Sequence, residues 1–147
     1  LGFNAQANAW KSSDLSLMQE VQNQAKSDDY FIVYGLTNIN VNYYARRLEI
    51  RNNKIYFPSA MEFNQNSLGL VQQMTSTKEK LNENLSNLKN TLASVNHGKF
   101  FVFLTDDNLS NSVLDFLDLN FKKVGEIIPE QPHMPTWISR VIIYEKY

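Results

Sequence analysis

The sequence has little of what enzyme sites are commonly built from: no cysteine, two histidines and five glycines in 147 residues. Without cysteine the chain forms neither disulfides nor thiolate metal sites. The glycines, at positions 2, 35, 69, 98 and 125, cannot form a GxGxxG or Walker pattern, which argues against dinucleotide and nucleoside triphosphate binding. There is no HxxxH spacing and no GxSxG elbow. The sequence therefore predicts no cofactor and no metal site.

Long hydrophobic runs and a strong net charge are also missing. The longest apolar runs, such as Phe100–Leu104, are far shorter than the roughly 20 residues that cross a bilayer. A net charge of −1 gives no electrostatic reason to expect nucleic acid as a partner. The length suits one domain, so we expect a single α/β domain over residues 1–147. Because the first residue is not methionine, we also expect the chain to be excised from a longer protein.

Two segments of the chain resemble each other, Tyr30–Arg47 and Lys99–Leu117. Each opens with an apolar run typical of a strand buried on both faces, passes through a polar turn, and continues with helical spacing of apolar residues. Strand–turn–helix units of this kind indicate an α/β layered domain.

Further elements complete the predicted fold. Helices are predicted at about 12–26, 37–47, 67–74, 77–95 and 109–119, and strands at 30–34, 48–50, 54–57, 99–104, 121–128 and 137–146. The leucine stripe of the helix at 77–95 indicates packing in the core or, less favoured, a partner-helix interface. We predict a three-layer α/β fold with a mostly parallel sheet, helices on both faces and an antiparallel C-terminal edge.

The turns after the two buried strands hold the first candidate ligand contacts. Thr37 and Asn38 lie in a strand-to-helix turn of the kind that presents backbone N–H groups to a phosphate. Asp106 and Asp107 could bind Mg²⁺ or Mn²⁺, and a diphosphate through the metal. Alternatively, one aspartate caps the following helix and the other is solvated. We favour the cap, because no third carboxylate has a matching position.

Aromatic and basic side chains supply the other candidates. Tyr43, Tyr44, Arg46 and Arg47 form a mixed cluster that could stack on sugars or bases. The favoured interpretation places Tyr44 in the core and the arginines at a solvated helix end. His133, in a proline-rich loop, is a further candidate ligand contact.

The series VYG…NYYARR, FFVFLTDD, FLDLNFKKVGEI and VIIYEK resembles the extracytoplasmic soluble domain of GT-C membrane glycosyltransferases. These are family 39-like enzymes, similar to the dolichyl-phosphate-mannose protein mannosyltransferases. The resemblance covers Leu15–Tyr147. It implies a non-catalytic accessory domain at the extracytoplasmic membrane face, whose partners are the transmembrane part of the same polypeptide and an acceptor glycan or lipid-linked sugar. The family's catalytic acidic residues lie on a loop between membrane helices, which this chain lacks.

A second resemblance concerns the segment SVLDFLDLNFKKVG and the strand that ends the chain, which look like the last third of a GNAT N-acetyltransferase. This alternative implies acetyl-CoA as a substrate. Asn120 stands where that family has glycine, and the family's pyrophosphate loop is absent.

Overall fold

Helices and strands alternate through the computed structural model, which describes residues 14–59, 72, 75–129 and 138–147. The helices are α1 (14–24), α2 (Asn38–Arg47), α3 (Lys78–Ala93) and α4 (Asn108–Asn120). The strands are β1 (Tyr30–Tyr34), β2 (Asn53–Phe57), β3 (Phe100–Leu104), β4 (Lys122–Ile127) and β5 (Arg140–Glu145). The predicted helix at 67–74 lies almost wholly outside the described residues.

The strands form one five-stranded sheet in the order β2-β1-β3-β5-β4. Strands β2, β1 and β3 run parallel to one another. The last strand, β5, is antiparallel to both of its neighbours, β3 and β4. The predicted mostly parallel sheet with an antiparallel C-terminal edge is therefore confirmed.

Helices cover both faces of this sheet. Side chains alternate along β1, so that Phe31 and Val33 pack with α1 and α2, whereas Ile32 and Tyr34 pack with α3 and α4. All five residues of β3 are buried, as its unbroken apolar run predicts. The connection from β1 to β2 and the connection from β2 to β3 run in opposite directions along the sheet. Because parallel crossovers are right-handed, these connections place α2 and α3 on opposite faces. The predicted three layers follow from this topology.

Helix α3 begins as its sequence predicts. The Thr77 hydroxyl accepts a hydrogen bond from the backbone N–H of Lys80 at 3.1 Å. Leu88 and Leu92 are buried against the sheet, in agreement with the core-packing interpretation. Within the described part of the chain, no helix has both the length and the hydrophobicity needed to cross a bilayer.

The prediction of a strand at 48–50 is wrong, because these residues form the C-terminal cap of helix α2. Glu49 has a left-handed φ of 58°. Its N–H bonds to the carbonyl of Arg46 at 3.3 Å, and the N–H of Ile50 bonds to that of Ala45 at 2.8 Å. This pattern is a Schellman C-cap. The apolar Leu48 and Ile50 pack into the core on the face of the sheet that α1 and α2 cover, and they do not pair with a strand.

Candidate functional site

The topology of the sheet brings the two predicted ligand-contact turns together. From β1 the chain passes through α2 to β2, and then returns through α3 to β3 on the other side of β1. The carboxyl ends of β1 and β3 are thus a topological switch point, where open α/β sheets bind ligands. The turn after β1, Gly35–Thr37, contacts β3 at this place. The candidate site is therefore the pair of turns at 35–38 and 105–108.

Asp107 is the centre of the hydrogen bonding at the switch point. As the N-cap of α4 it accepts a bond from the backbone N–H of Ser110 at 2.7 Å. The same oxygen, Oδ1, accepts a bond from the Tyr34 hydroxyl at 3.0 Å. The other oxygen, Oδ2, accepts a bond from the Thr105 hydroxyl at 2.5 Å. Both carboxylate oxygens are thus engaged by the protein, as the capping interpretation predicts. Asp106 is exposed beside them.

The protonation states at the switch point follow from these contacts. Partial burial of the Asp107 carboxylate would raise its pKa, but the hydrogen bonds from Thr105, Ser110 and Tyr34 outweigh it and hold the pKa below its ordinary value. Burial, followed by the charge and hydrogen bond of Asp107, raises the pKa of Tyr34 well above its ordinary range. At neutral pH Asp107 is therefore an ionised acceptor and Tyr34 a neutral donor.

The turn after β1 encloses its polar side chains. Gly35 adopts a positive φ of 47°, which reverses the chain at the strand end. The Thr37 hydroxyl then donates to the carbonyl of Tyr34 at 2.6 Å. Thr37 and Asn38 are both 0% exposed. Both predicted contact side chains are thus enclosed within the turn.

The aromatic and basic candidates lie elsewhere. Tyr44 is buried in the core, with the ring of Tyr43 packed edge-on against it at 4.9 Å between centroids. Arg46 lies in the last turn of α2, which runs back along the sheet away from the switch point. Burial lowers the pKa of Lys54, and the nearby positive charge of Arg46 lowers it further. The structure thus separates Tyr44 and Arg46 from Asp107.

The last predicted ligand contact, His133, lies outside the described residues. Among the residues that the structure describes, no three histidine, aspartate or glutamate side chains come together as a metal site would require.

Sequence reasoning missed Tyr34, which appears in the sequence only as the polar end of an apolar run. Its ring is 3% exposed and packs among core side chains, while its hydroxyl reaches Asp107. Tyr144 behaves in the same way at the other end of α4, where its hydroxyl donates to Asp118 at 2.7 Å. A tyrosine within a buried strand is the signal that could have indicated both contacts, since a buried hydroxyl needs a partner.

Comparison of the chain with protein-family models, characterised proteins and solved structures found no significant match.

Proposed function

We propose that this chain is a non-catalytic accessory domain of a membrane-embedded glycosyltransferase, facing the extracytoplasmic side and contacting an acceptor glycan or a lipid-linked sugar donor. The family resemblance suggests this role. Its partners would be the transmembrane part of the same polypeptide and the glycan.

The observation that supports a non-catalytic role is the closed set of hydrogen bonds around Asp107. The switch point is where an α/β enzyme of this topology would place reactive groups. Here the carboxylate serves Ser110, Tyr34 and Thr105, and its pKa lies below the ordinary value. Because both oxygens accept bonds from groups of the protein itself, this carboxylate serves the fold, which supports a structural role.

A transfer assay tests the proposal. Membranes that contain the product of the complete gene are incubated with radiolabelled polyprenyl-phosphate sugars, beside the purified 147-residue chain. We expect transfer by the membranes, none by the chain alone, and at least half of the wild-type rate in a full-length Asp107→Asn variant. Transfer by the isolated chain would overturn the proposal. So would a hundredfold loss in Asp107→Asn at unchanged protein level.

Acetyl transfer is the second candidate function. One observation favours it: α4 ends at Asn120 and leads at once into the antiparallel pair β4–β5, in the order that the resemblance to GNAT enzymes implies. Calorimetric titration of the chain with acetyl-CoA separates the two candidates. Heat of binding that saturates at one molar equivalent would favour acetyl transfer, and its absence removes that function.

A further inference from the structure

A groove of about 240 Å³ runs between the edge strand β2 and helix α3. On the strand side it is lined by Ile55 and Phe57, and on the helix side by Asn84, Asn87, Leu88 and Thr91. In the described part of the chain β2 pairs only with β1, so its outer edge forms one wall of the groove.

The helix wall of the groove combines one apolar and three polar side chains. Positions 84, 87, 88 and 91 recur at helical spacing, which places them on one face of α3. Leu88 is buried in the core, while Asn87 and Thr91 are exposed. The polar side chains therefore lie beside the packed face of the helix and line the groove next to β2.

The groove offers hydrogen-bonding capacity that folding does not use. The Asn87 side chain makes no hydrogen bond with any residue that the structure describes, which leaves both amide donors and the amide oxygen available. The Thr91 hydroxyl donates to the carbonyl of Asn87 at 2.9 Å and keeps its lone pairs for a second partner. The groove differs in this respect from the switch point, where the carboxylate oxygens are already engaged.

The chemistry of the lining selects the ligand. Amides and hydroxyls that both donate and accept match the hydroxyl groups of a sugar ring, and the apolar floor at Ile55 matches its C–H face. Among the described residues that line the groove there is no carboxylate, and the one cation is Lys54. The volume is below the roughly 300–1,000 Å³ of pockets for drug-sized ligands, which suits one or two sugar rings.

We propose that this groove binds a carbohydrate of one or two rings, with Asn87 and Thr91 bonding its hydroxyl groups. The choice of a glycan over other polyols rests on the proposed function, whereas the geometry of the groove does not.

Titration of the ¹⁵N-labelled 147-residue chain with the methyl glycosides of glucose, galactose, mannose and N-acetylglucosamine tests this site. We expect at least one glycoside to shift the backbone amides of β2 and α3, with a Kd on the order of 1 mM. Asn87→Ala should raise that Kd at least about fivefold, since it removes the hydrogen bonds of the amide. Asn90→Ala is the matched control: Asn90 is an exposed asparagine of the same helix that does not line the groove, and its replacement should leave the Kd unchanged.

Shifts confined to other parts of the chain, or equal Kd values for Asn87→Ala and wild type, would overturn the site. So would the absence of a response to every glycoside. A response only to an unglycosylated Thr-Val-Thr-Val-Thr-Val peptide would replace it with strand addition at the β2 edge. If the whole gene product is attached to the membrane but the chain binds no sugar, the groove is not a carbohydrate site and the proposed function still stands.

Discussion

The phenolic oxygen of Tyr34 lies 3.0 Å from Oδ1 of Asp107, and this hydrogen bond joins residues 73 positions apart. It ties the carboxyl end of β1 to the first turn of α4. A second bond of the same kind joins Tyr144 in β5 to Asp118 near the other end of α4. Helix α4 is thus fixed to the sheet at both ends by a buried phenol and an aspartate, so that the switch point has a rigid frame.

Replacement of Tyr34 by phenylalanine should destabilise the fold by about 1–2 kcal/mol, because Asp107 loses a donor while the ring still fills its place. Urea unfolding of Tyr34→Phe against wild type measures the change. Tyr147→Phe is the control, since Tyr147 is 84% exposed. Equal free energies of unfolding for wild type and Tyr34→Phe would contradict the importance of this bond.

Stability should depend on pH through Asp107. Because its pKa in the folded chain lies below the ordinary value of 3.8, the stabilising contribution is complete above about pH 5 and is lost as the pH falls through the folded pKa. Asp107→Asn removes this titration. The difference in unfolding free energy between wild type and Asp107→Asn should therefore stay constant above about pH 5 and shrink from there to about pH 2. A difference that stays constant over this range would mean that the carboxylate is not held ionised by its partners.

Two glycines with positive φ should respond very differently to alanine. At Gly98, which has a φ of 92°, a Cβ would lie 2.2 Å from the backbone oxygen of Asp28, so Gly98→Ala should cost about 3 kcal/mol or more. At Gly35, with a φ of 47°, a Cβ would meet nothing within 4 Å, and only the backbone strain of about 1 kcal/mol remains. Thermal unfolding of both variants measures the contrast. Equal losses would show that the turn before β3 yields more easily than its geometry indicates.

Glycine at position 49 should stabilise the chain by about 0.5–1 kcal/mol, because Glu49 adopts a φ of 58° that glycine reaches without strain. Glu49→Ala is the matched variant, since it removes the same charge and keeps the Cβ. Chemical denaturation should rank Glu49→Gly above both wild type and Glu49→Ala. A Glu49→Gly variant no more stable than Glu49→Ala would show that the left-handed position carries no strain.

The sequence predicts the layers well, because a strand buried on both faces is recognisable by its unbroken apolar composition. The β3 run, FFVFL, is apolar at every position and lies in the middle of the sheet. The positions of the last two strands in the sheet are harder to predict from the sequence. The contrast between RVIIYE in β5 and KKVGEI in β4 is the signal that β5 is the inner strand and β4 the edge.

Local sequence could not predict the contacts that depend on this order. The sequence predicts that one of the two aspartates caps the following helix, and Asp107 is that residue. Its bond to Tyr34 requires β1 and β3 to lie side by side, which only the assembled sheet determines. The end of α2 was misjudged for another reason: Glu49 takes a conformation usually reserved for glycine, so no residue type marked the C-cap.

The location of the native gene product tests the proposed role most directly. An antibody raised against the 147-residue chain is used to probe membrane and supernatant fractions of the source cells, followed by alkaline carbonate extraction. We predict a protein much larger than 17.0 kDa that stays in the membrane after extraction and that protease digests from the extracytoplasmic side. A product of about 17 kDa in the supernatant, with nothing in the membrane, would contradict the role.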